Sequence, residues 1–143
     1  MAGPPSALKK ALIAEGFEIY RTSPTLVSLA DRVRDNLLMD SGVAVAQGET
    51  LGVRVVLRAQ SSNFPGEAAD ALYARARGLS SPLITRGYVE VAAEAVVVHD
   101  PSDRSRTLDT WYEVAYLRGM GDEGALFEEL RFALALIKHA ERP

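Results

Sequence analysis

Between Gly87 and Val98 the side chains alternate without a break. Val89, Val91, Ala93, Ala95 and Val97 fall to one side, and Tyr88, Glu90, Ala92, Glu94, Val96 and Val98 to the other. A period of two with this much valine is a strand pattern. Asp100-Pro101-Ser102-Asp103 then marks a turn, and Thr107 to Arg118 returns as a second arm carrying Trp111, Tyr112 and Tyr116. A hairpin of this length requires an antiparallel sheet, so the rest of the chain must provide further strands and the helices that cover them.

Further strands are legible upstream. Val43-Ala44-Val45-Ala46 is followed by the turn Gln47-Gly48-Glu49. Leu51, Val53, Val55 and Leu57 then alternate with Gly52, Arg54, Val56 and Arg58, giving one aliphatic face and one with two arginines around a valine. Phe17 to Arg21 alternates in the same way and stops at Thr22-Ser23-Pro24. Thr25 to Asp40 admits two readings. Leu26, Leu29, Ala30, Val33 and Leu37 lie at helical spacing behind Ser23-Pro24, which favours a helix, while Leu26-Val27-Ser28-Leu29 also fits a short strand pairing back on Phe17 to Arg21. Gly42 ends the segment.

Pro4, Pro5 and Ser6 open a short amphipathic helix of about Ser6 to Glu15, stopped by Gly16. Ser61 to Gly66 is a loop into an alanine-rich helix over Glu67 to Arg77, stopped by Gly78. Leu126, Leu130, Leu134 and Ile137 stripe a final helix, with Asp122, Glu123, Glu128 and Glu129 towards its start and Lys138, His139 and Arg142 at its end, as the macrodipole prefers. The expected fold is α+β, an antiparallel sheet with three main helices in the order helix, strands, helix, long hairpin, helix. It forms a single domain over residues 1–143.

Composition narrows the chemistry. A chain of 143 residues buries roughly 68–70% of its unfolded surface, enough for a core without a metal or disulfide. The absence of cysteine removes disulfides, thiolate metal sites, iron–sulfur clusters and cysteine nucleophiles, and suits a reducing cytoplasm. No apolar run approaches the ~18 residues of a membrane span, and the first residues lack a secretory pattern, so a cytoplasmic protein with no membrane partner is expected. Sixteen basic against nineteen acidic side chains, a net charge of −3, argue against a general electrostatic grip on nucleic acid.

Gly119-Met120-Gly121-Asp122-Glu123-Gly124 has the spacing of a dinucleotide fingerprint. Its context is wrong: only one helix follows, and two carboxylates stand where a pyrophosphate would sit. The motif reads as a strand-to-helix turn. His99 with Asp100 and Asp103 falls in a polar turn rather than a converging metal or acid–base site, and His139 suits a helix end. Glu90 and Glu94 share a strand face and are expected to meet solvent or Arg54 and Arg58 across the sheet. No catalytic residue, cofactor or metal ligand is expected.

Protein contact is the leading expectation; the alternative is a small-molecule or nucleotide binding regulator, or an enzyme, with a pocket between sheet and helices. Trp and Tyr are enriched at binding hot spots, which makes Trp111, Tyr112, Tyr116 and Tyr88 candidates for holding a protein client. Val56, Ala92, Val96 and Val98 alternate with charges opposite the cleanest aliphatic stripes, a half-apolar surface typical of a subunit contact. With Ala68, Ala69, Leu72, Tyr73 and Ala76 of the alanine-rich helix, Val96 and Val98 form the candidate homodimer interface.

With Leu26 to Ala30 taken as a strand, the chain resembles the YbjN-like proteins and the type III secretion chaperones. The resemblance rests on the helix exit Leu12-Ile13-Ala14-Glu15-Gly16-Phe17, the strand pair Val43 to Ala46 and Leu51 to Ala59, the helix after Phe64-Pro65, and the hairpin-plus-helix ending. It implies a non-enzymatic, homodimeric α+β protein that binds other proteins, often by holding an extended segment.

Overall fold

Helix α1 (Pro5–Ala14) ends in a Schellman turn. Gly16 takes a φ of 95°, while its N–H donates to the Ile13 carbonyl and the Phe17 N–H to the Leu12 carbonyl, both at 3.0 Å. That turn aims the chain into β1 (Ile19–Thr22), followed by β2 (Leu26–Arg34), β3 (Leu37–Gln47) and β4 (Leu51–Gln60). A single turn of 3-10 helix at Ser61–Asn63 leads to α2 (Ala69–Gly78) and the short α3 (Ser81–Thr85). The long hairpin is β5 (Val89–Asp100) and β6 (Asp103–Met120), and α4 (Glu123–Ala140) closes the order. The computed structural model describes residues 5–35 and 37–140. Pro4 and Arg142, read above as parts of helix ends, lie outside the described residues, as do the side chains of Val33 and His139.

The result is an α+β fold with a six-stranded antiparallel sheet, in the order β1-β2-β3-β4-β6-β5, and three main helices. The chain divides into two compact units, Met1–Val55 with Leu117–Pro143, and Val56–Tyr116.

In the first unit, the segment whose spacing favours a helix is a strand. β2 pairs with β1 through Thr22↔Val27 and Ile19↔Leu29, and with β3 through Leu26↔Ala46 and Arg32↔Leu38. Partners on both edges satisfy its backbone, and Val27 and Leu29 are fully buried. The helical stripe shares no common burial: Leu26 and Ala30 are half-buried and Leu37 is exposed. Tertiary pairing overrides the local pattern.

Gly42 does not end that segment but sits inside β3, at a bulge. The register against β2 slips between Ser28↔Ala44 and Ala30↔Asp40, and Gly42 adopts a φ of 84°. The neighbouring Ser41 is buried and repairs the ladder: its hydroxyl donates to the Leu29 carbonyl (2.7 Å) and its oxygen accepts the Val43 N–H (3.1 Å). Gly52 answers a different need, since a Cβ there would meet the Arg118 carbonyl oxygen and Leu117 Cδ1, both at 3.1 Å.

Helix α4 buries Leu126, Leu130, Ala133 and Ile137, and Phe127 tilts against Phe17 at 6.1 Å. The apparent dinucleotide motif is its entrance. The Asp122 carboxylate accepts the Ala125 N–H (2.8 Å) and so occupies the helix N-terminus itself. Buried Glu129 accepts from Arg118 Nη1 (2.9 Å).

The second unit builds its core from Leu57, Ala59, Leu72, Ala76, Leu83, Tyr88, Val114 and Tyr116. Helix α3, which the sequence reading passes over, has Pro82 in its first turn and buries Leu83.

Ser41→Ala removes from the bulge the hydroxyl that donates to the Leu29 carbonyl and accepts the Val43 N–H. It is expected to cost about 1–3 kcal/mol, read as a lower urea midpoint at unchanged slope.

Candidate functional site

The second unit carries an apolar surface that its own helices do not cover. Tyr88 is buried, and at the next even position Glu90 accepts two bonds from Arg77 of α2 (2.9 and 3.1 Å). Even-numbered side chains at this end of β5 therefore face α2. Odd-numbered ones face away: Val89, Val91 and Val97 are 60%, 49% and 47% exposed, and Ala93 and Ala95 between them are exposed too. Five alternate positions thus make an uncharged stripe in solvent. Leu108 of β6 is also 51% exposed.

Trp111 lies on the same side. Tyr112 packs edge-on against Tyr73 of α2 at 5.1 Å, so its β6 neighbours Trp111 and Glu113 point away from that helix. Leu57 and Ala59 of β4 are buried, which turns Arg58 to the same outer face. The Arg58 guanidinium stacks 4.1 Å from the Trp111 ring centroid, and its Nε donates to Glu113 Oε2 at 2.8 Å. The indole N–H donates to Asp109 Oδ2 (3.2 Å), and that carboxylate also accepts the Ser62 N–H (3.0 Å), the Ser62 hydroxyl (2.7 Å) and the Thr110 N–H (2.8 Å). Partial burial pushes the Asp109 carboxyl up, but these bonds outweigh it and hold the group below its ordinary value.

β5 is also the last strand in the sheet order, so one of its edges has no strand partner among the described residues. Its twelve residues contain no proline, glycine or lysine, the residues that usually blunt an edge or shorten it.

A second concavity belongs to the first unit. It is a cleft of about 310 Å³ floored by Phe17, Leu29, Leu134 and Ile137. Two ion pairs rim it: Arg32 Nε donates to Glu18 Oε1 at 3.0 Å, and Lys138 Nζ stands 3.8 Å from Asp31. The hydrogen bond from Arg32 holds the Glu18 carboxyl below its usual range. Among the described residues no group of three or more His, Asp or Glu side chains converges as a metal site, and no helix is long and apolar enough to cross a membrane.

The structure separates the residues singled out from the sequence. Of the client candidates, Trp111 is half-buried on the outer face and Tyr112 half-buried against α2, whereas Tyr88 and Tyr116 are core. Of the interface candidates, Leu72 and Ala76 are core, Tyr73, Val96 and Val98 are half-buried, and Ala68 and Ala69 at the start of α2 are exposed. Core residues on α2 and its facing strands have no area left to offer a partner. Glu90 meets Arg77 rather than Arg54 or Arg58, because its strand position faces α2. His99 is exposed, while the carboxylates of Asp100 and Asp103 accept from Ser102 and Ser105 within the turn. The exposed Val89–Val97 stripe was visible as the cleaner face of the alternation.

Comparison with protein-family models, with curated proteins and with solved structures finds no match to this chain.

Because the Asp109 carboxyl is held below its ordinary 3.8, its ionised form stabilises the fold. That contribution is complete above the ordinary value and disappears as pH falls through the lowered one. Asp109→Asn is expected to be less stable than wild type at pH 7, and the two should converge in thermal melts as the pH is taken below 3.8.

Proposed function

We propose that this chain is a non-enzymatic, chaperone-like adaptor, a homodimer that binds a protein client or an extended segment of one, as the resemblance to YbjN-like proteins and type III secretion chaperones implies. The observation that carries the reading is the uncovered stripe of Val89, Val91 and Val97 beside the Arg58-stacked Trp111. Burying a valine side chain is worth about 1.5–3 kcal/mol, so a folded chain that leaves such a row in water gains by docking it against protein. The Trp–Arg pair has the composition of a hot spot: a rigid amphipathic ring, with a planar cation already in place over it.

The cleft of the first unit supports a second reading, a regulator that binds a small molecule, because its apolar floor and charged rim match the general make-up of ligand pockets. The two readings part on stoichiometry. A docking protein sediments at twice the 15.5 kDa of the chain at micromolar concentration, whereas a small-molecule regulator has no need to.

Trp111→Ala tests the client contact. The variant should keep its far-UV circular dichroism while its capture of client proteins weakens at least tenfold, the ~1.4 kcal/mol expected of a hot-spot truncation. A folded Trp111→Ala that retains every captured partner removes the outer face from the proposal.

A further inference from the structure

Resting on the homodimer reading above, we propose that two copies of this chain join through the free edge of β5, antiparallel about a twofold axis at Ala93, so that the sheet continues from one copy into the other. An edge strand displays a row of unpaired N–H and C=O groups, and proteins keep such edges short or interrupt them. β5 runs for twelve residues, about twice the common strand length. Its charged side chains before the terminal His99-Asp100 are Glu90, already tied to Arg77, and Glu94.

The sequence of β5 selects both the occupant and the register. In a twofold antiparallel pair, opposed side chains share a face, so the axis passes a single residue that meets its own copy. An axis at Ala92 sets Glu90 against Glu94, one at Glu94 sets that residue against itself, and one at Ala95 sets Glu90 against Asp100. Each opposes like charges. An axis at Val96 avoids that but leaves Val89 and Val91 outside the paired region, and one at Val91 likewise leaves out Ala95 and Val97. At Ala93 the acids stand apart, with Glu90 opposite Val96 and Glu94 opposite Ala92. The whole stripe then closes on itself: Val89 opposite Val97, Val91 opposite Ala95, and Ala93 opposite Ala93. A strand that satisfies its own pattern this way is complementary to a second copy of itself.

The chain has no cysteine, so Ala93→Cys introduces a lone thiol. Opposed Cβ atoms lie about 4.5–5.5 Å apart, close enough for a disulfide or a short bis-thiol cross-linker. Mild oxidation, or that cross-linker, should give a covalent dimer on a non-reducing gel. Asp100→Cys is the control, because its two copies would stand about 48 Å apart along the strand axis and should stay monomeric on the same gel. Val91→Lys, checked for folding by circular dichroism, places ammonium groups in the paired region and should weaken the dimer at least tenfold in sedimentation equilibrium. If the wild type is a dimer but Asp100→Cys cross-links and Ala93→Cys does not, or if the dimer survives Val91→Lys unchanged, the β5 pairing is overturned and the homodimer reading stands. A wild type that sediments at 15.5 kDa throughout the micromolar range overturns both.

Discussion

Among the described residues the outer side of β5 has no strand partner, and the proposed contact depends on that open edge. β1 ends the sheet order at the other side with four residues, Ile19–Thr22, and so offers little ladder to a foreign strand. β5 has no such brevity, no proline and no lysine. One of its faces is anchored by Tyr88 and the Arg77–Glu90 pair while the other is left as bare valine and alanine. A long edge strand that leaves a row of valines in water is the physical ground for treating its surface as a contact.

Arginine does a consistent job around this body. Arg58 lies over Trp111 and pairs with Glu113, Arg75 lies over Phe64 and pairs with Glu67, and Arg77 lies near Tyr73 and pairs with Glu90. In the first unit Arg131 repeats the pattern over Phe17 with Glu15. A guanidinium can stack on a ring and bond a carboxylate at once, which lysine cannot. These four cations are therefore each engaged on two sides, by a ring and by a carboxylate.

How much of this was legible depends on whether the deciding contacts are local. α1, α2, α4 and the long hairpin follow from spacing and from stops such as Gly16, whose positive φ only glycine adopts freely. Asp122 shows why the Gly119–Gly124 spacing misleads, since the carboxylate that would repel a phosphate is the cap of α4. Thr25 to Asp40 was undecidable from within, because its strand state depends on β1 and β3, and on a bulge in which Ser41 replaces a missing ladder bond. The docking surface was half legible. Trp111 was singled out, but Tyr88 and Tyr116 are core, and the stripe of Val89, Val91 and Val97 faces solvent whereas the opposite face, with Val96 and Val98, was the one singled out as a contact. Alternation reveals two faces; which of them a helix covers is a tertiary fact.

The chemistry of the stripe also limits what can occupy it. Alanines at 93 and 95 separate Val91 from Val97, so the stripe is built of small side chains and offers a shallow contact. Shallow apolar contact discriminates poorly by shape, and selectivity must then come from register: a slip that keeps the same faces opposed moves Glu90 and Glu94 against new neighbours. On the proposed pairing the β5 edge is spent on the second copy, and a client cannot use the same backbone groups at the same time. Client contact then falls to the outer face, where Arg58 and Trp111 are half-buried and preset by Glu113 and Asp109. A client strand that instead competes for β5 would couple its binding to dissociation of the dimer, so client affinity would fall as protein concentration rises.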